Sequence, residues 1–449
     1  MGPASRIRQR AERHFRPETV NFWCHVIEGG FAMLGLQLVG QQTVLPVLIT
    51  EELGGTSTTF GLVKSMIMAA FLAPLLLAPR LEGGRRRKGL ILLLGIGQRL
   101  PLLVMSAAVL LLGPSNPRLC LLVIAAMLLL RAVSGQVQLP IWFDLIGETI
   151  PDHRLGWLWG YRHFLSAAMR LLAAPVCMII ISAVAFPGNY ALLYFISFGA
   201  MLVSWLIFAL VDDVPEGVPV RRTQPARYYF RDLRKALGAD RDYRHFLLSM
   251  MIRTAGASAI PFFAIAAVKY HGVPKGTVIG AFIVAGSLGR MIGTSAAPWL
   301  ADRIGHKRVI QLGNAVTMLA SLVAAFAPHG RWFLFLSSMF IWGIGGSARN
   351  ICAQACSLVL APRGRRVGYK LLQSISVALV AIVLAPLMGL MMDVTGSVPV
   401  LALSVAACLN LASCLPLEHC RVPSAAELAP EEDADEEPDD DADDDADGR

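Results

Sequence analysis

The sequence predicts an all-α polytopic membrane protein with about twelve transmembrane helices, on three observations. Segments such as 57–79, 89–112, 191–211 and 397–416 are apolar over the ~20 residues that a hydrocarbon core requires. The composition is 55% hydrophobic and only 16% charged, with a mean hydropathy of +0.57, well outside the range of soluble domains. Arginines fall almost entirely on one set of alternate loops, the pattern of a chain that crosses a bilayer repeatedly.

Read in order, the spans are roughly 20–48, 57–79, 89–112, 118–141, 158–184, 189–211, 246–269, 276–299, 309–328, 332–360, 369–392 and 397–418. The first follows a basic segment, 1–19, with Arg6, Arg8, Arg10, Arg13 and Arg16. No short apolar region with a cleavage site stands there, so no cleavable signal peptide is expected. Loop 80–88, after the second span, carries Arg80, Arg85, Arg86, Arg87 and Lys88. The middle segment, 213–245, carries Arg221, Arg222, Arg227, Arg231, Arg234, Lys235, Arg241 and Arg244. Loops 300–308 and 361–368 continue the series with Arg303, Lys307, Arg308, Arg363, Arg365 and Arg366. The opposite loops hold little beyond Arg118, Lys269, Lys275 and Arg331. By the positive-inside rule both termini are cytoplasmic, in a plasma or inner membrane.

This placement also accounts for the formal charge of +8. The basic residues orient the spans and lie beside anionic lipid, so a nucleic-acid partner is not expected. The eight cysteines fall in or beside apolar segments without a CxxC pair, which predicts free thiols and no metal centre. Nothing calls for a cofactor, and the chain is expected to act as a monomer.

The middle segment divides the chain into an N-terminal bundle, 20–212, and a C-terminal bundle, 246–419. Within it, 225–246 alternates charge with Tyr228, Tyr229 and Phe230, as in a helix lying on the membrane face. The tail, 420–449, is acidic and too poor in apolar residues to fold. A repeat supports the division. The fourth span is followed by Pro151-Asp152-His153-Arg154-Leu155-Gly156 and then Gly160-Tyr161-Arg162. The tenth is followed by Pro362-Arg363-Gly364-Arg365-Arg366-Val367-Gly368 and then Tyr369-Lys370. Parallel repeats of six helices are a transporter design.

Between spans eight and nine stands Leu300-Ala301-Asp302-Arg303-Ile304-Gly305-His306-Lys307-Arg308. This resembles the loop signature of the major facilitator superfamily, G-x-L-A-D-R-x-G-R-K. The equivalent loop of the first half, 79–88, is degenerate, with Glu82 in place of aspartate. Arg131 and Gly135 in the fourth span look like the superfamily's R-x-x-x-G signature, associated in relatives with proton coupling. The fifth span reads Leu171-Leu172-Ala173-Ala174-Pro175 and lacks the G-P-x-x-G-G pattern of drug–proton antiporters. The resemblance implies two six-helix bundles around a central cavity, with transport by rocking of the halves. It also implies a cytoplasmic latch of Asp302, Arg303 and Gly305 against Asp144, Glu148 and Arg154.

Ionisable groups inside a span cost at least ~2.5–3.5 kcal/mol and usually face water or a partner. Arg131, Ser134 and Gln138 share one helical face, as do His163, Ser166 and Arg170, and Ser347, Asn350 and Gln354. With Arg253 and Arg349 these are the candidate cavity residues. Lys64 and Arg162 lie near span ends and are expected to snorkel. Arg290 sits among Gly286, Gly289 and Gly293, which favours a structural role in close helix packing. Glu28, with His25 one turn away, is the candidate coupling-ion site. The excess of buried cation favours a small organic anion as solute, moved by proton-coupled or facilitated transport. The alternatives are efflux of amphipathic compounds and, in another class, a lipid-acting membrane enzyme built on Asp144, Glu148, His153 and Arg154.

Overall fold

The computed structural model describes residues 17–74, 87–212, 240–361, 366–396 and 398–422. Residues 1–16 and 75–86, most of the middle segment and the tail from 423 lie outside the described residues, and with them the end of the second expected span and most of the stretch 225–246. So does the loop after span ten at 362–365.

Long helices follow the expected spans: α1 Pro17–Val39, α2 Ser57–Ala69, α3 Arg87–Leu112, α4 Pro117–Thr149, α5 Asp152–Ala183, α6 Gly188–Ala209, α7 Arg241–Ala257, α8 Lys275–Ile304, α9 His306–Ala325, α10 Phe333–Val359, α11 Arg366–Val394 and α12 Val400–Ala412. Ten described stretches are long and apolar enough to cross a membrane. The second span reaches only Ser57–Leu72 within the described residues. The tenth has the length but is interrupted by Gly343, Gly345, Gly346, Ser347, Arg349 and Asn350.

Helix ends follow local chemistry. Thr56 and Thr59 form a capping box at α2, and Asn116 caps α4 ahead of Pro117. Asp240 accepts from the Tyr243 amide at the start of α7. Helices four and five run past the apolar limits read from sequence, to Thr149 and from Asp152. Hydropathy registers the part of a helix in lipid, and these ends project beyond it. The first and seventh spans are both discontinuous. Gly40, at φ +52°, breaks α1 before a short helix, Val44–Val47, and a π turn, Leu48–Glu52. α7 stops before Pro261 and resumes as Phe262–Lys269.

α1 packs on α5 and α6, and α3 on α4 and α6. In the second half α10 packs on α8 and α9, and α12 on α7 and α9. The two bundles meet through α2–α11 and α5–α8. At the arginine-poor end they share one apolar core, in which Phe60, Tyr190, Phe262, Phe282 and Met388 take part. At the arginine-rich end each half has its own. Phe22, Ile91, Trp142, Leu158 and Phe208 form one, and Tyr243, Phe246, Val309, Cys356 and Tyr369 the other. The halves are joined at one end and separate at the other.

Candidate functional site

The closed end is built from small residues and charges. A Cβ on Gly61 would fall within 3 Å of the Ala385 and Pro386 backbone, and one on Gly389 within 3 Å of Ser57 and Thr58, so α2 and α11 touch backbone to backbone. Across that contact Asp393, near the end of α11, accepts from the amides of Ser57 and Thr58 at 2.8 Å and from the Thr58 hydroxyl at 2.6 Å. A carboxylate on unsatisfied amides at a helix start is favoured by charge and geometry. Lys275 pairs with Glu52 at 2.7 Å and Lys269 with Glu51 at 3.8 Å, each joining opposite halves. His271, between those lysines, is buried against Phe335 and stacks on His329. Burial, then the neighbouring His329, lowers its pKa, so it is neutral at pH 7.

Within the first half, Glu28 is not alone. Arg162 donates to it at 2.6 Å, also reaches the His25 carbonyl, and lies 4.7 Å over the Trp142 ring. The expectation that Arg162 snorkels is thereby corrected. A Cβ on Gly29 would overlap the guanidinium, so that glycine provides its room. His25 packs on Trp142 and Phe208 with neither ring nitrogen hydrogen-bonded. Lys64 also differs from expectation: Gln41, at the break in α1, accepts from it at 3.3 Å.

The Arg131, Ser134 and Gln138 stripe faces α3. Ser134 abuts Gly97, Gln138 accepts from Gln98, and Arg131 is buried with its Nε unpartnered. Arg99 donates to the Met201 and Gly95 carbonyls at 2.9 Å. On α5, Ser166 contacts the Gly29 carbonyl of α1, Arg170 reaches Met33 Sδ at 3.2 Å, and His163 is exposed beside Trp159.

In the second half, Arg253 donates to Asn350 at 3.0 Å, and Asn350 and Gln354 are exposed. Arg349 points elsewhere. Its Nη1 donates to Asn314, Thr317 and Asn410 at 3.1, 2.8 and 2.9 Å, in a buried nest among α9, α10 and α12. Arg290 is half-buried, with its Nε unpartnered. At the open end Arg303 lies over Trp299 of its own helix, Asp302 and Gly305 are exposed, and Arg154 is half-buried. The side chains of Asp144 and Glu148 lie outside the described set.

Sequence reasoning missed the Glu28–Arg162 pair and the closure residues Asp393, Glu51 and Glu52. It also missed the nest around Arg349, although Asn314 and Thr317 stand one turn apart on one face of span nine.

Two helix bundles, joined at one end and separate at the other, with charged groups between them, are the architecture of a membrane transporter. Residues 27–370, well over half the chain, match the Major Facilitator Superfamily, and the chain belongs to that superfamily. It is a multi-pass integral membrane transporter of small solutes, not an enzyme, which sets aside the lipid-acting alternative. No curated protein matches it. Among solved structures it is similar to the nucleoside transporter NupG, at 13% identity and TM-score 0.68 over 88% of this chain and 98% of that one. It is similar to a D-xylose–proton symporter, at 15% and 0.65 over 90% and 98%. The E. coli fucose:proton symporter FucP aligns at 13% and 0.60 over 91% and 100%. At these identities the likeness is one of fold.

Proposed function

We propose that this chain is a secondary transporter, proton-coupled or facilitative, that moves a small organic anion by alternating access. One observation carries the reading. Among the described residues, Lys64, Arg99, Arg131, Arg162, Arg170, Arg253, Arg290 and Arg349 lie within the spans, and one carboxylate well inside, Glu28, answers them. Glu28 is committed to Arg162. An anionic solute would supply the negative charge that the remaining cations lack, since Lys64, Arg99, Arg253 and Arg349 donate to neutral acceptors only. Glu28 with Arg162 is the proposed coupling site, because proton uptake at the carboxylate would release the guanidinium. The arginine-rich face is proposed to be cytoplasmic, in a plasma or inner membrane, which makes the open end inward-facing. Proteoliposome flux of a panel of carboxylates, phosphates, sugars and nucleosides, with and without a pH gradient, tests the reading. Saturable uptake restricted to anions is expected, and uptake of neutral solutes alone would overturn it.

A second reading, efflux of amphipathic compounds, is favoured by an open, mostly apolar face along α8. Met291, Ile292, Ser295, Ala296 and Trp299 form it. Amphiphilic cations competing with flux in the same panel would support it.

A further inference from the structure

Sorting the interior arginines by what they donate to leaves few of them free. Arg349 is held by Asn314, Thr317 and Asn410, Arg99 by two backbone carbonyls, Arg162 by Glu28 and Arg253 by Asn350. Arg170 and Arg290 remain, together with Arg131 on the α3 side. Among the described residues Arg170 has only a thioether 3.2 Å away, and Arg290 Nε has no acceptor.

Helical phase places these two side chains in one space. On α5, Ala174 and Met178 face α8, where they meet Gly280, while Arg162 and Ser166 face α1. At about 3.6 residues per turn, Arg170 falls between those two faces. On α8, Gly276 and Gly280 face α5, while Gly286, Gly289 and Gly293 face α10. Arg290 falls between these in turn. Both arginines lie on the open side of the α5–α8 contact and near the middle of their helices, and the antiparallel register in which Ser182 meets Gly276 and Met178 meets Gly280 brings them to a similar depth.

We infer that Arg170 and Arg290 form a two-point receptor for a carboxylate or phosphate of the transported solute, one guanidinium from each half. The inference rests on the proposed anionic substrate and narrows it to a group with two oxygens to share. The planar guanidinium fork suits such oxygens. Empty, the like charges repel and favour separation of α5 and α8 toward the open end. A bridging anion turns that repulsion into attraction across the halves, so occupancy itself draws the open end shut.

The test uses the full chain in nanodiscs, with inorganic phosphate and succinate as probes and succinamide as the neutral control. Both anions are expected to raise the melting temperature, and succinamide to leave it unchanged. Arg170→Gln and Arg290→Gln should each weaken the anions by about tenfold or more, equivalent to about 1.4 kcal/mol. Should Arg290→Gln fail to fold, Arg290→Glu supplies the carboxylate internally. That variant should fold, pair with Arg170 and no longer respond to anions. Anion stabilisation retained in Arg290→Glu, or equal in wild type and both glutamine variants, overturns the receptor while leaving the anionic substrate standing. Stabilisation that follows phosphatidylglycerol content, with soluble anions inert, overturns it too. Transport of neutral solutes alone in the flux panel removes the anionic reading as well.

Discussion

Residues of one chemical type perform different work here, and their acceptors separate them. Arg349 and Arg253 are both arginines inside a span, but the first is locked by three polar groups and the second faces the open space beside Asn350. Arg349→Leu would remove the donor that those three groups share. Unsatisfied buried polar groups cost about 1–3 kcal/mol, so the melting temperature should fall while the KM for solute stays near wild type. Glu28→Gln keeps the shape and a hydrogen bond to Arg162 but cannot take up a proton. Gradient-driven accumulation should disappear while solute exchange persists, read as uptake with and without a pH jump. Undiminished uphill transport would remove Glu28 from coupling. The sequence showed that these ionisable groups are buried, because hydropathy and helical spacing are local properties. It did not show which acceptor each finds. Glu28 and Arg162 are far apart in the chain, and their pairing depends on the parallel register of α1 and α5, in which His25 meets Arg162 and Gly29 meets Ser166.

At the scale of elements, the contact of α2 with α11 is the closure of the arginine-poor end. Spans were legible because twenty-odd apolar residues in a row have few other fates. The closure was not, because Asp393, Glu51 and Glu52 read as ordinary loop-edge acids until the helices are placed. Asp393→Asn keeps one acceptor but loses the charge that favours the α2 amides. The mutant should open more often, and a cysteine at Lys64 should react several-fold faster with an impermeant thiol reagent applied from that side. An unchanged rate would mean that the glycine contacts alone hold the end shut. His271 adds a pH dependence of known sign. Its pKa is lowered by burial, so the stabilisation from its neutral form is present above the ordinary imidazole value near 6.5 and is lost as pH falls. A proton there would also face His329. Acidification of that side should therefore raise the same labelling rate.

At the scale of the whole molecule, three cores decide the mechanism. With one core shared by both halves at one end and separate cores at the other, the halves can exchange which end is joined only by rocking about a point between the ends. If the bundles move as rigid bodies, breaking contacts at the closed end must bring the open ends together. The end of α8 at Asp302 and Arg303, exposed here with Gly305 after it, would then approach the start of α5 near Gly156, where opposite charge and a helix N-terminus can receive it. Cysteines at Asp302 and Gly156 should thus crosslink poorly in the wild-type background. They should crosslink well when Asp393→Asn is added, although Asp393 lies at the other end of the molecule. The sign of this coupling separates rocking from local fraying, because a closure that merely loosened would leave the distant pair unchanged. A crosslink yield equal in the two backgrounds would refute rigid-body rocking and with it the role of Asp302 and Arg303 as the inner latch.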